Sequence, residues 1–210
     1  MIVLYENPLS SNSQKVRFLF SELAITYESR VIAMFNVGTR SPEFLAINPF
    51  GLLPVYVENG LSLQESNTIL RFVADSRGSE LYPRSPKLRA NVDRWLDILG
   101  CTMRARMAPL ERRRFANMPG GSRDLEEEAK LENNLRAVLD GVEAIFPDEG
   151  DYATGPFSIA DCAWAPTLRR LADMGLDLSM YPKIRAWIEL LLARPAWIAA
   201  RGPDLILREI

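Results

Sequence analysis

Ser10, Ser11, Asn12 and Ser13 stand in a row within the stretch YENPLSSNSQKVRFLF (Tyr5 to Phe20), between a strand-like run and a helix-like run. Hydroxyls at such a turn can accept hydrogen bonds from the free amides of the helix start. They can also donate to an anion there, where the helix dipole already favours negative charge. They cannot be serine nucleophiles activated by imidazole, because the 210-residue chain contains no histidine. That excludes Ser-His-Asp and Cys-His sites, and H-E-x-x-H metal sites with them. The chain has no G-x-x-x-x-G-K-[ST] loop and no G-x-G-x-x-G. The reactive group is therefore expected to arrive with a substrate or cosubstrate, and no metal is expected.

Composition narrows the class further. The chain is 48% hydrophobic and 25% charged, with a net charge of −2, which suits one large or two small globular domains. No global basic field draws it to nucleic acid or to an anionic membrane. No apolar run is long enough to span a bilayer, and the N-terminus lacks a basic region followed by an apolar signal core, so a cytoplasmic location is expected. Cys101 and Cys162 lie far apart and read as buried thiols in a reducing compartment.

The elements that position the serines follow from periodicity. IVLY (Ile2 to Tyr5) reads as a buried strand. Val16, Leu19, Phe20 and Leu23 recur at helical spacing, and SRVI (Ser29 to Ile32) reads as a second strand, parallel to the first across a right-handed crossover. A short helix is expected around SPEFLAI (Ser41 to Ile47). PVYVENGLSL (Pro54 to Leu63) alternates about Asn59-Gly60, the signature of a tight hairpin, and a helix carrying Ile69, Leu70 and Val73 follows. The order β-α-β-(α)-β-β-α implies a four-stranded mixed sheet with helices packed on it.

Residues 1–77 form this first domain, and 78–86, within the Gly-, Pro- and Ser-dense RGSELYPRSP, read as a linker. Residues 87–210 have helical periodicity throughout. Val92, Trp95, Leu96, Leu99 and Met103 form a stripe that reads as core. The basic run Arg104 to Arg114 and the acidic run Arg123 to Glu132 read as two solvated antiparallel helix ends that complement the helix dipoles. In GPFSIADCAW (Gly155 to Trp164), Ser158 reads as an N-cap and Asp161 as its capping-box partner, a structural rather than catalytic acid.

Three stretches in this order resemble the glutathione transferase family over nearly the whole chain. SSNSQKVR (Ser10 to Arg17) is similar to the theta- and zeta-type serine motif, of bacterial type. NPFGLLPVYVENGLSLQESNTIL (Asn48 to Leu70) is similar to the N-P-x-G-x-x-P segment and the acidic-Ser pair, and GPFSIADCAW to the capping segment of the helical domain. The resemblance implies a thioredoxin-like N-terminal domain, an all-helical C-terminal domain, glutathione as cosubstrate and a homodimer. It implies a cis bond at Leu53-Pro54, with the backbone of Leu53 free to pair with glutathione as an added strand. It implies that Glu65 and Ser66 hold the γ-glutamyl group at a helix start.

Glutathione would answer the missing histidine, since it carries its own thiol. A free thiol of pKa near 8.5 is only a few per cent ionised at pH 7. A serine hydroxyl donating to the thiolate, beside a helix N-terminus, favours the charged form. Lowering the pKa by about two units takes about 2.7 kcal/mol. The alignment puts Ser10 in the catalytic place, with Ser11 beside it, Asn12 as an added donor and Ser13 as a helix cap. The family often carries Lys or Gln where this chain has Leu52, so binding would need Lys15, Arg40 or main chain to compensate. A small hydrophobic electrophile would lie between the domains against Leu9, Leu99, Met103, Met107, Phe115 and Trp164. Two other readings stand beside conjugation: a non-catalytic or stress-associated binding module, which Leu52 favours, and a glutathione-dependent isomerase of a small unsaturated diacid.

Overall fold

The computed structural model describes residues 1–34, 38–116, 118 and 121–207. Strand β1 (Val3–Glu6) runs parallel to β2 (Glu28–Val31), and α1 (Ser11–Glu22) makes the crossover between them. Strand β3 (Val55–Glu58) pairs antiparallel with β1, and β4 (Leu61–Leu63) with β3, giving the sheet order β2-β1-β3-β4. The β3–β4 turn has positive φ at both Asn59 (49°) and Gly60 (84°), as a two-residue hairpin of matching twist requires. Helix α2 (Pro42–Ile47) begins at Ser41, whose Oγ accepts from the Phe44 N–H at 3.2 Å, with Pro42 in the first turn. Helix α3 (Ser66–Ser76) closes this half.

Residues 77–85 lead to α4 (Pro86–Asp97), which continues through a π-helical stretch (Ile98–Met103) into α5 (Arg104–Arg114). Then follow α6 (Leu125–Ile145), α7 (Ile159–Asp173), α8 (Pro182–Leu192) and α9 (Pro195–Ala200). The core of this half is aromatic. Trp95, Trp164 and Trp187 pack with ring centroids 5.4 to 5.7 Å apart, and the Trp164 indole N–H donates to the Trp95 carbonyl at 2.9 Å. The capping box of α7 is complete. Asp161 accepts from the Ser158 N–H at 2.8 Å, and also from the Ala153 N–H and the Trp187 indole at 3.1 and 2.9 Å.

Helix α1 joins the two halves: it packs on α3 and, through Phe20 edge-on to Tyr56 of β3, on the sheet, and it packs against α7 and α9. Phe18 meets Trp197 edge-on at 5.5 Å, and Glu22 takes a two-pronged ion pair from Arg194 at 2.7 and 2.9 Å. The helix that carries the serines is thereby held from both sides.

Two sequence expectations need correction. Cys101 is exposed, on the π-helical stretch, and only Cys162 is buried. The basic and acidic helix ends are not merely solvated: Arg114 pairs with Glu128 (3.3 Å) and Glu132 (2.6 Å), and Glu128 is buried. Facing charges on α5 and α6 find each other because the helices pack directly.

Candidate active site

Strand β1 delivers the chain to the start of α1, and the cap there is Ser10. Its backbone is extended (φ −76°, ψ 115°), and its Oγ accepts from the Ser13 N–H at 3.3 Å. The cap expected at Ser13 is therefore one turn too late. Ser13 lies inside the helix, fully buried, and accepts from the Asn7 N–H at 3.3 Å. A hydroxyl has two lone pairs and one proton, so Ser10 can cap and still donate. No acidic residue occupies the first turn of α1 to offset its positive end.

The second wall is the loop before β3. Asn48 is buried and organises it: its Nδ2 donates to the Leu52 carbonyl at 2.8 Å and its Oδ1 accepts from the Phe50 N–H at 3.1 Å. Gly51 needs its missing side chain, since it sits at φ 62° and a Cβ would come within 2.6 Å of the Thr39 carbonyl. The Leu53-Pro54 peptide bond is cis, and the ladder of β3 begins only at Val55. Leu52 is 55% exposed, and Arg40 Nη1 donates to the neighbouring Phe50 carbonyl at 3.4 Å.

The third element is the start of α3. Glu65 occupies the N-cap at φ 66°, an uncommon conformation for a side-chain-bearing residue, and gives no side-chain cap. Ser66 opens the helix and is buried. Beneath it lies Lys15 of α1, 2% exposed, whose Nζ donates to the Ser66 hydroxyl at 3.5 Å. Burial pulls the Lys15 ammonium down to about 7; Arg104 and Arg170 push the same way, against Glu65.

Three adjoining cavities meet at Asn12. One, about 120 Å³, is lined by Leu53, Pro54, Glu65 and Ser66. A second, about 300 Å³, is lined by Ser10, Arg40, Leu52 and Leu53. The third, about 380 Å³, lies between the halves and has Ser10 and Ser11 on one side. The structure thus brings Ser10, Ser11, Asn12, Leu52, Leu53, Pro54, Glu65 and Ser66 to one continuous cleft.

It does not bring the apolar acceptor wall there. Leu99, Met103, Met107, Phe115 and Trp164 are all fully buried in the core, and Leu9 is half-buried and does not line the third cavity. The stripe of α5 that faces the cleft is Arg104, Ala108, Glu111 and Arg112, one residue around from Met103, Met107 and Leu110. The apolar stripe turned inward, as burial of apolar surface dictates. On this wall Glu111 takes Arg104 at 3.0 and 2.9 Å and Arg170 of α7 at 3.0 Å. Burial alone would raise the Glu111 carboxyl, but the two guanidiniums outweigh it and hold it below the usual carboxylate range.

Two family profiles match the chain in order: "Glutathione S-transferase, N-terminal domain" over residues 4–80 and "Glutathione S-transferase, C-terminal domain" over residues 110–190. The chain belongs to the glutathione S-transferase family. It is 31% identical over 210 residues to glutathione S-transferase GstB of Escherichia coli K12, covering 93% of this chain and 95% of that one. It is similar in structure to the theta class glutathione S-transferase of Xanthomonas axonopodis pv. citri, solved with glutathione bound: TM-score 0.86, 26% identity, 95% and 96% of the two chains covered. A glutathione S-transferase of Pseudomonas fluorescens Pf-5 superposes with a TM-score of 0.78 at 30% identity, covering 93% and 96%.

In this transferase the residues that sequence reasoning missed are the charged ones of the third cavity. Glu111, Arg112 and Arg170 carry no local motif. The available signal was the i, i+4, i+7, i+8 spacing of Arg104, Ala108, Glu111 and Arg112, a second stripe beside the apolar one.

Proposed function

We propose that this transferase binds glutathione along the Leu53-Pro54 and Glu65-Ser66 wall and transfers it to an electrophile in the cavity between the halves. The thiolate is held by the Ser10 hydroxyl at the start of α1. The single observation that carries this reading is the meeting of the three cavities at Asn12, with Ser10 on the border of two of them. An extended tripeptide bound in the first two would have its reactive end at Ser10, facing the third.

Each part has a physical task. The backbone of Leu53, outside the β3 ladder, pairs with the peptide as an added strand. The amides opening α3, the Ser66 hydroxyl and Lys15 offer positive potential to the γ-glutamyl carboxylate, and Glu65 takes the amino group. Asn48 holds the Leu52 carbonyl, so the loop is shaped by main chain and Arg40, without the Leu52 side chain. Ser10, already fixed by the Ser13 N–H, donates a hydrogen bond to the sulfur anion and does not take the thiol's proton. The thiol proton leaves to solvent. The thiolate attacks the electrophilic carbon, the C–S bond forms, and the leaving group departs with its bonding pair.

Calorimetric titration with glutathione, paired with conjugation assays across electrophile classes, tests the reading. Binding with turnover is expected. Binding without turnover of any electrophile would leave the binding-module reading, and isomerisation of an unsaturated diacid without net loss of thiol would leave the isomerase reading. The homodimer is proposed on family grounds, and light scattering giving one subunit's mass, 23.7 kDa, would refute it.

A further inference from the structure

The wall that faces the serines from the helical half is charged, and its charges do not cancel. Glu111, 1% exposed, is shared by Arg104 and Arg170. One carboxylate between two guanidiniums leaves one positive charge. Arg112, on the same face of α5, is exposed and has no ion-pair or hydrogen-bond partner among the described residues. Among the described lining residues, three arginines and one glutamate therefore leave two net positive charges on a cavity of about 380 Å³, within the range of small-molecule sites. Low-dielectric walls focus such a field into the cleft.

The arginines differ in what they can still do. Arg104 spends both terminal nitrogens on Glu111, and Arg170 divides its own between Glu111 and the Leu9 carbonyl. Both are held in place and act as fixed charge. Arg112 keeps its planar fork of donors open to the cavity, and that fork matches a carboxylate two-pronged. Ala108 adds a small apolar surface beside it, room for a ring or chain.

We infer that the acceptor is an electrophile bearing a carboxylate or a comparable anionic group, seated on Arg112 within the field of Arg104 and Arg170, with its reactive carbon turned to Ser10. The inference rests on the transferase reading and specifies its substrate class.

A matched pair of acceptors tests it: 4-chloro-3-nitrobenzoate and 4-chloro-3-nitrobenzamide, each rate divided by its uncatalysed rate with glutathione. In both reactions the thiolate attacks the chlorine-bearing carbon, the C–S bond forms, and chloride leaves with the bonding pair. The normalised kcat/KM is expected to favour the benzoate by about tenfold, the order of one charge-assisted pair. In Arg112→Gln that ratio should collapse towards one. Equal values in the unaltered protein, or a preference that Arg112→Gln leaves intact, overturn the inference. Binding gives a readout independent of turnover, through calorimetric titration with the two S-aryl glutathione products. If neither acceptor reacts but the carboxylated product binds about tenfold tighter, and Arg112→Gln erases the difference, the anion site stands and the transfer reading falls. If the products bind alike, the inference falls. If glutathione itself does not bind, both fall together.

Discussion

Arg170 Nη2 donates to the carbonyl oxygen of Leu9 at 2.6 Å, across 161 residues of sequence. Leu9 precedes the capping serine, so this bond ties the start of α1 to α7 of the other half. The same guanidinium holds Glu111 through Nη1 at 3.0 Å. One buried cation thus fixes both the serine turn and the charged stripe of α5. Replacing Arg170 with Met should destabilise the protein by about 3 kcal/mol, since it strands a carbonyl and takes one of two partners from a buried carboxylate. For a chain of this length the melting temperature should drop by about 6–12 °C. A scan showing a shift under 2 °C would contradict the assignment.

The cap observed at Ser10 and the thiolate donor proposed for it can be measured apart. As the cap of α1, its loss in Ser10→Ala should cost about 1 kcal/mol in denaturant unfolding. As the proposed donor to the thiolate, its loss should lower turnover about 100-fold, the low end for one donor in a pre-organised site, with little change in glutathione affinity. The pKa of bound glutathione, followed by thiolate absorbance, should rise towards its free value. A rise in Ser11→Ala and none in Ser10→Ala would move the role to Ser11.

Lys15 predicts a pH signature. Its folded pKa of about 7 lies below the ordinary value of 10.5, first through burial and then through Arg104 and Arg170, which outweigh Glu65. Between pH 7 and 10.5 the unfolded chain therefore binds more protons than the folded one, and stability gains with rising pH from this group. Below pH 7 both states are protonated and the burial of charge opposes folding by a constant amount. Lys15→Met should be more stable than the parent at pH 6, with the advantage shrinking towards pH 9. Urea unfolding at both pH values decides it. An advantage equal at the two would count against a shifted lysine.

The same lysine should couple glutathione binding to protons. A carboxylate bound at Ser66 would draw the Lys15 pKa upwards, so at pH 8 the lysine should take up as much as one proton per site, against the proton that the ionising thiol releases. Calorimetry in two buffers of different ionisation enthalpy reads the net count, and Lys15→Met should shift it by as much as one proton towards release. An equal net count in the parent and in Lys15→Met would show that the carboxylate does not sit there.

Gly202 passes so close to the serine turn that a Cβ would lie 1.9 Å from the Pro8 carbonyl and 2.5 Å from the Gln14 side chain. Arg169 holds it there, donating to the Gly202 carbonyl at 3.0 Å. Gly202→Ala should cost about 1–3 kcal/mol as overpacking against backbone, and turnover should fall with it because Pro8 is two residues from Ser10. Unchanged stability in thermal unfolding would argue against the close approach.

Much of this molecule was legible locally. The serine turn, the Asn59-Gly60 hairpin, the short helix after Ser41 and the Ser158–Asp161 box each lie within a few residues, where turn chemistry and periodicity act. Family resemblance then tied the serine turn, Leu53-Pro54 and Glu65-Ser66 into one expected site, although they are strung over more than fifty residues. Tertiary structure decided which face of α5 meets the cleft. An amphipathic pattern says which stripe leaves water, and Met103 and Met107 did so by entering the core; it does not say what the neighbouring stripe will face. The fate of the charges was likewise unreadable. Lys15 has the composition of a surface residue, yet it lies under Ser66 because α1 is packed on both sides. Arg170 and Leu9 meet only when α7 docks against the start of α1. Long-range contacts between charged groups leave no period in the chain, so only the folded molecule shows that the wall facing Ser10 and Ser11 is cationic.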